Sequence, residues 1–161
     1  MKACVFAGSF DPPTNGHIEV INRSLEIFDK VIIAIGKSQF KNALFSTKER
    51  ISFFNKIFAC EKNIEICSFD GLLVDFMKER NLKFYVRGIR NEKDLDLETR
   101  TIEFNSSHYP EISTIYIPTI NKNASVSSTV VRELLSEGKD VSEYLPKQIC
   151  EEVISLYNSK K

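Results

Sequence analysis

The residues best suited to chemistry lie in one short segment near the start of the chain, GSFDPPTNGH, which runs from Gly8 to His17. Gly8 would let a ligand approach the backbone closely, and Ser9 offers a hydroxyl and an N–H. Gly16 and His17 fall in the first turn of a predicted helix, where unpaired N–H groups attract phosphate. The segment therefore indicates an anion site that contains a titratable donor.

His17 by itself has an ordinary structural explanation, as a surface histidine at a helix start or a buried one bonded to a carbonyl. Its position beside a predicted phosphate site favours a functional role. Imidazole can donate a hydrogen bond to a phosphate whose charge grows in a transition state.

The elements that must position this segment alternate along the chain. Five short β-branched runs are typical of strands, at residues 2–7, 30–36, 63–69, 83–88 and 113–118. Segments with helical spacing lie between and after these runs. The first places Ile18, Ile21, Leu25 and Phe28 on one face, and the second begins with a capping box at 46–49. Further helices are predicted at residues 71–80, 92–107, 127–137 and 146–158.

Strands that alternate with helices predict a doubly wound α/β domain: a five-stranded parallel sheet of Rossmann-like type, with helices on both faces. The 161 residues, 42% of them hydrophobic, are enough for one sizeable core. We therefore expect a single domain over residues 1–161.

Composition excludes several classes of partner. Lys and Arg number 22 and so do Asp and Glu, so no basic excess is available to hold a nucleic-acid backbone. No run of 18 apolar residues and no signal-peptide core occurs, so we expect a cytoplasmic protein without a membrane partner. The scattered cysteines, Cys4, Cys60, Cys67 and Cys150, indicate no zinc site or disulfide framework and are expected to be reduced and mostly buried.

Ligands of such sheets bind beyond the carboxyl ends of the strands, where the strand order reverses. Four segments follow predicted strand ends: GSFDPPTNGH, GKSQFKNALF, RGIRNEKD and PTINKNASVSST. All are rich in glycine, hydroxyls or cations. No GxGxxG follows the first strand, and Gly36-Lys37-Ser38 is no Walker loop because Val31 stands where its first glycine is required.

The opening segment resembles the G-[ST]-F-D-P-x-[TH]-x-G-H signature of the HxGH-type nucleotidyltransferase superfamily, with Thr14 in place of the first His. Lys41, the segment YVRGIRN at 85–91 leading to Glu98, and VSSTVVRE at 126–133 narrow the resemblance. Together they resemble the bacterial phosphopantetheine adenylyltransferase family over essentially the whole length.

The resemblance implies that the phosphate of 4′-phosphopantetheine attacks the α-phosphorus of ATP, giving dephospho-coenzyme A and pyrophosphate, the penultimate step of coenzyme A biosynthesis. It implies no covalent enzyme intermediate, and Mg²⁺ that accompanies ATP without a protein-ligated metal site. A homohexamer and feedback inhibition by coenzyme A are implied by the resemblance alone.

The family's pattern also implies roles for individual residues. His17 and Lys41 would be catalytic, and Ser9, Lys41, Leu73 and Arg87 would bind phosphopantetheine. The ATP site would comprise Ser9, Phe10, His17, Gly88, Ile89, Arg90, Glu98, Asn123, Ala124, Ser125, Val126, Ser127, Ser128 and Thr129.

Some of these residues also have an ordinary structural explanation. Lys41 could be a solvated loop lysine, Glu98 an exposed helix carboxylate, and one hydroxyl of the 127–129 cluster a helix N-cap. Arg87 is harder to explain so, because an inward-facing arginine is costly to desolvate unless an anion pairs with it. The segment 122–125 lacks the aromatic residues that family members often have there. Which residues contact the adenine therefore stays open.

Four other functions compete with this interpretation. Nicotinate-mononucleotide adenylyltransferases are usually longer and, like the cytidylyltransferases, keep the first His of the motif, where this chain has Thr14. The chain could also be a nucleotide-binding regulatory module without activity or a flavodoxin-like binding protein. Joint retention of His17, Lys41, Arg87 and Arg90 favours an enzyme, because a pure binding module needs no transition-state donor beside two phosphate-binding cations.

Overall fold

One five-stranded parallel sheet organises the molecule. The computed structural model describes residues 1–37, 43–90, 103–119 and 126–160. Its strands are β1 (Ala3–Gly8), β2 (Lys30–Gly36), β3 (Ile64–Phe69), β4 (Phe84–Ile89) and β5 (Ser113–Pro118), each within one residue of the predicted bounds. They lie in the order β3-β2-β1-β4-β5, which confirms the doubly wound parallel sheet.

Helices connect and flank the strands as predicted. They are α1 (Asn15–Leu25), α2 (Thr47–Ile57), α3 (Leu73–Glu79), α4, of which residues 103–108 are described, α5 (Ser128–Ser136) and α6 (Cys150–Ser159). The predicted capping box is present: Ser46 accepts a hydrogen bond from the Glu49 N–H, and the Glu49 carboxylate accepts one from the Ser46 N–H. The sequence pattern thus located this helix start correctly.

Two boundaries differ from the prediction. Phe28 lies beyond the end of α1, although its ring is buried beside the α1 side chains. The apolar spacing therefore predicted the buried residue but not the end of the helix. The last helix begins at Cys150, not at residue 146, because a turn closed by the Ile149 N–H on the Pro146 carbonyl precedes it. Apolar spacing alone does not distinguish such a turn from a helix.

The sheet is covered on both faces because its inner strands are apolar on both sides. One face packs Phe6, Ile33 and Val86 against α1 and α2. The other packs Val5, Ile32 and Tyr85 against α3 and the chain after α4. A third apolar cluster joins α2 to α5 and α6 away from the sheet, through Phe45, Phe53, Val131, Leu135, Val141, Leu145, Ile149 and Val153.

The strand order reverses beside β1, which pairs with β2 on one side and β4 on the other. The chain leaves β1 through α1 toward β2, whereas α3 carries it back to β4 across β1. The loops after β1 and β4 therefore diverge, and a crevice opens at their carboxyl ends.

The cysteines correct one expectation. All four are free thiols, but only Cys4 is buried, while Cys67 and Cys150 are partly accessible and Cys60 is exposed. Cys60 lies after the end of α2, at the surface, and is therefore not part of the core. Within the described ranges no helix is both long and apolar enough to cross a bilayer.

Candidate active site

Two adjoining clefts open at the carboxyl edge of the sheet, at the reversal of strand order. The first has a volume of about 270 Å³ and the second about 310 Å³. Both are lined by Ala7, Gly8, Ser9 and Arg87, which form a wall between them. Two ligands, one in each cleft, would therefore approach each other across the end of β1 and the Arg87 guanidinium.

The first cleft is built to hold an anion. Two helix N-termini reach it, that of α1 through Gly16 and His17 and that of α5 through Ser127 and Ser128. Unpaired N–H groups and the helix dipole make each terminus favourable for phosphate. Arg87 and Arg90 add two cations, and none of the described residues that line this cleft is acidic.

The hydrogen bonds of His17 fix which ring nitrogen carries the proton. The backbone N–H of Thr14 lies 3.0 Å from Nδ1, and the Thr14 hydroxyl lies 3.1 Å from the same atom. A backbone N–H can only donate, so Nδ1 accepts and the hydrogen of the neutral ring is on Nε2. Thr14 caps α1, and His17 occupies the third position of that helix. The helix start therefore fixes the orientation of the imidazole.

The surroundings of His17 disfavour its charged form. Burial, together with the nearby charges of Arg90 and Arg87, lowers the pKa of His17 from 6.5 to about 4. The ring packs edge-on against Phe10, with the ring centroids 5.0 Å apart. At neutral pH the side chain is thus a neutral imidazole that offers Nε2–H as a donor.

The loop between β1 and α1 is held from several sides. The Asp11 carboxylate, itself buried, accepts hydrogen bonds from the backbone N–H groups of Leu44 and Phe45, both at 2.8 Å. Arg132 of α5 donates to the Asp11 carbonyl at 2.7 Å, and the Ser128 hydroxyl donates to the Pro12 carbonyl at 2.7 Å. These contacts tie the loop to α5 and to the residues before α2.

The loop backbone is unusual at Phe10, whose φ of 49° lies in the left-handed region. This region costs a non-glycine residue energy and persists only where the surroundings enforce it. The Phe10 ring is buried and packs edge-on against Phe6 and Phe54. Packing of the ring therefore enforces the turn that brings Ser9 and Phe10 to the cleft.

All three hydroxyls at the start of α5 have protein partners. Ser127 is the N-cap and accepts from the Val130 N–H, Ser128 donates to Pro12, and Thr129 accepts from Arg132. Ser127 and Ser128 line the first cleft, while Thr129 does not. What this helix start presents to a ligand is therefore mainly backbone N–H.

A glycine makes close packing of β4 on α1 possible. A Cβ at Gly88 would lie 2.8 Å from Cγ2 of Val20, closer than real Cβ contacts allow. Val20 is one turn beyond His17 on α1, and both line the first cleft with Gly88. The absent side chain therefore sets the distance between the arginine-bearing strand and the histidine-bearing helix.

The second cleft combines apolar and polar groups. Leu72 and Leu73 border it at the start of α3, opposite Tyr85 and Arg87 of β4. The Arg87 guanidinium lies 5.7 Å from the Tyr85 ring centre. Further polar lining comes from Lys37, Asp70 and the buried Asn105. A ligand with an apolar arm, amide groups and a phosphate directed at Arg87 suits this surface.

Most predicted site residues that are described lie at these clefts. Ser9, Phe10, His17, Gly88, Arg90, Val126, Ser127 and Ser128 line the first, Leu73 lines the second, and Ser9 and Arg87 line both. Ile89 lines neither, although its carbonyl accepts from the Thr119 N–H beside the first cleft. Lys41, Glu98, Asn123, Ala124 and Ser125 lie outside the described residues.

Sequence reasoning missed residues that support or line the clefts from elsewhere. Asp11 stood inside the motif but had no assigned role, and Arg132 stood in the VSSTVVRE segment. Asn105 and Thr119 are buried polar residues at the cleft edges. Arg50 of α2 could have been identified from the sequence, because a charged residue on the apolar side of an amphipathic helix indicates a buried charge.

Comparisons with known proteins identify relatives of this chain. The cytidylyltransferase-like family model matches residues 5–134. The chain is 39% identical to a phosphopantetheine adenylyltransferase from Campylobacter curvus, over 92% of this chain and 95% of that protein. It is 36% identical to one from Natranaerobius thermophilus, over 100% and 99% of the two chains.

A solved structure of similar fold is the nicotinic acid mononucleotide adenylyltransferase of Plasmodium falciparum complexed with NaAD. It superposes with a TM-score of 0.70, covering 98% of this chain and 97% of the other, at 18% sequence identity. This likeness concerns the fold alone.

Proposed function

The chain belongs to the cytidylyltransferase-like family and, within it, to the phosphopantetheine adenylyltransferases, and from this premise we propose that it transfers the adenylyl group of ATP to 4′-phosphopantetheine. The products are dephospho-coenzyme A and pyrophosphate, and the reaction belongs to coenzyme A biosynthesis. A cytoplasmic location stays a prediction from the absence of apolar targeting segments, and a homohexameric assembly and feedback inhibition by coenzyme A stay predictions from the resemblance.

The observation that supports the proposal best is the wall shared by the two clefts. ATP would place its triphosphate in the first cleft, which is cationic and reached by two helix N-termini. Phosphopantetheine would lay its arm in the second cleft, along Leu73, with its phosphate at Arg87. The two phosphates would then meet beside Ser9, as an in-line displacement at the α-phosphorus requires.

Such a transfer asks the protein mainly to position reactants and stabilise charge. The neutral His17 would donate from Nε2 to an α-phosphate oxygen as charge builds there, while Arg90 and the N-terminus of α5 would hold the leaving pyrophosphate. The phosphate oxygen of phosphopantetheine forms the new P–O bond and the bond to pyrophosphate breaks. No covalent enzyme intermediate is needed.

Mg²⁺ would arrive as part of the Mg–ATP substrate. The described lining of the first cleft holds no carboxylate, and the described ranges contain no group of three or more His, Cys, Asp or Glu side chains arranged to hold a metal. Phosphate oxygens and water would then supply the ligands that Mg²⁺ prefers.

The test is pyrophosphate release measured with ATP and varied phosphopantetheine, together with mass spectrometry of the nucleotide product. Saturable release and a product mass equal to dephospho-coenzyme A are expected. Nicotinate mononucleotide serves as the control acceptor and should not support release. If ATP binds but phosphopantetheine elicits no pyrophosphate, the chain is a nucleotide-binding module and the proposal is wrong.

A further inference from the structure

Arg50 carries a buried positive charge that no substrate role explains. Its side chain, on α2, is 1% exposed and is the largest of the fully buried side chains among the described residues. It lines neither cleft. A guanidinium stays protonated in proteins, and burying a charge is costly unless hydrogen bonds and an opposite charge compensate it. The contacts of Arg50 must therefore compensate a large desolvation cost.

These contacts converge on the ends of two central strands. Nη1 donates to the Ser9 carbonyl at 2.5 Å, the shortest contact of the group, and approaches the Gly36 carbonyl at 3.4 Å. Nη2 donates to the Thr47 hydroxyl at 3.1 Å, and Nε lies 3.4 Å from the Ser46 carbonyl. The Arg50 guanidinium is thus bonded to the first residues of its own helix, and it holds the loop after β1 beside the end of β2.

The contact with Ser9 has a consequence for the next peptide N–H. The Ser9 carbonyl and the Phe10 N–H belong to one planar peptide group, and the only cis peptide among the described residues is Asp11-Pro12. In a trans peptide the carbonyl and the N–H point in opposite directions. Since Arg50 holds the Ser9 carbonyl on the α2 side, the Phe10 N–H points away from Arg50. Ser9 and Phe10 both line the first cleft.

We propose that Arg50 is a positioning residue: its guanidinium fixes the Ser9–Phe10 peptide so that the Phe10 N–H serves as a preset donor to the transferring phosphate. The inference rests on the proposed function for the identity of that phosphate. It differs from a purely structural role because a preset donor lowers the energy of the transition state more than that of bound ATP.

The chain itself indicates why an arginine is used here. The Phe10 backbone is in the left-handed region, and the Arg50 contact at Ser9 adds to the packing of the Phe10 ring in keeping this conformation. A lysine at position 50 would keep the charge but has a single ammonium, which cannot serve the Ser9 carbonyl and the Thr47 hydroxyl with the geometry of a planar fork. Arg50→Lys therefore tests the fork, and Arg50→Met tests the charge and the fork together.

The control variant is Phe53→Leu. Phe53 is buried in the same helix and packs against Phe45 in the cluster formed with α5 and α6. This substitution removes buried apolar volume from α2 and leaves the Arg50 guanidinium in place. Activities are compared with Arg50→Lys and Arg50→Met at a temperature where all variants are folded by circular dichroism.

In kinetics, Arg50→Met should lower kcat by roughly a hundredfold, Arg50→Lys by less, and both should leave the KM for ATP within about threefold of the wild type. Phe53→Leu should keep kcat. If both Arg50 variants have the kcat of Phe53→Leu, the positioning role is wrong. If Arg50→Met does not fold, Arg50→Lys carries the same comparison.

A second readout is independent of the acceptor substrate. In ¹⁵N-labelled wild-type protein the Phe10 amide proton should move on addition of Mg–ATP, whereas in Arg50→Lys it should move by less than half as much. An equal shift in both proteins would overturn the inference. If wild-type protein shows this shift but no phosphopantetheine-dependent pyrophosphate release, the proposed function fails while the role of Arg50 stands.

Discussion

At the scale of single residues, the central feature is a histidine whose protonation is set by its neighbours. Thr14 holds Nδ1 as an acceptor, and burial with two arginines nearby keeps the ring neutral. The HxGH-type signature that the opening segment resembles has a histidine at the position where this chain has Thr14. Here a backbone N–H and a hydroxyl orient the one imidazole that remains.

Replacement of His17 by alanine should lower kcat by roughly a hundredfold to a thousandfold, with a smaller effect on the affinity for ATP. The reason is that a donor aimed at developing charge contributes mainly in the transition state. Steady-state kinetics combined with calorimetric ATP titration separates the two effects. An equal loss in both would make His17 a ground-state ligand.

The depressed pKa of His17 predicts a pH dependence with a definite sign. The folded pKa of about 4 lies below the unfolded value of 6.5, so the unfolded chain takes up the proton first as the pH falls. Stability from this group is present above pH 6.5 and is lost between that value and about pH 4. Urea unfolding across this range should show a smaller loss for His17→Gln than for the wild type, and a ring titration by NMR near 6.5 in the folded protein would contradict the assignment.

Arg87 should affect saturation by the acceptor substrate more than by ATP. It stands in the wall between the clefts, and its fork suits bidentate contact with a phosphate. Arg87→Ala should therefore raise the KM for phosphopantetheine by about tenfold or more. Arg23→Ala, on the exposed side of α1, is the control. An unchanged KM and rate in Arg87→Ala would remove it from the site.

At the scale of elements, the site depends on how closely β4 and α1 approach each other. Gly88 has no side chain, and this lets Val20 pack directly on the strand. The same two elements carry Arg87 and His17. The distance between these elements is therefore set by the packing of Val20, one helical turn from His17, against Gly88, which is next to Arg87.

Gly88→Ala should destabilise the fold by about 1–3 kcal/mol, because its methyl would have to displace Val20. Gly36→Ala is a suitable control for stability, since its added Cβ would meet the Phe69 ring at 3.7 Å, an ordinary contact. Chemical denaturation compares the two. Equal stability of both variants would show that α1 moves away without cost.

At the scale of the whole molecule, the two clefts are parts of one folded unit and should both stabilise it when filled. Each ligand binds the native state and not the unfolded chain, so each raises the unfolding temperature by mass action. Scanning calorimetry should show an increase with Mg–ATP, an increase with phosphopantetheine, and no comparable increase with nicotinate mononucleotide. A response to ATP alone would leave the second cleft without its proposed ligand.

Local patterns in the sequence were sufficient to predict the strands and to locate the opening motif. Alternating β-branched and amphipathic segments predicted all five strands and the capping box at Ser46, because local periodicity and capping chemistry suffice for these features. The sequence also indicated that four strand-end segments share one edge, since parallel strands place their carboxyl ends together. It predicted that His17 and Arg87 lie at this edge, and both line the first cleft.

How these residues come together follows from the tertiary structure alone. That the two clefts share Ser9 and Arg87 depends on the pairing of β1 with β4, which joins residues 80 positions apart, such as Cys4 and Phe84. The neutral state of His17 depends on burial, on Arg87 of β4 and on Arg90, which follows that strand. The role proposed for Arg50 depends on a carbonyl 41 residues away. Contacts between elements have no local period in the sequence, so no pattern within one segment could have predicted them.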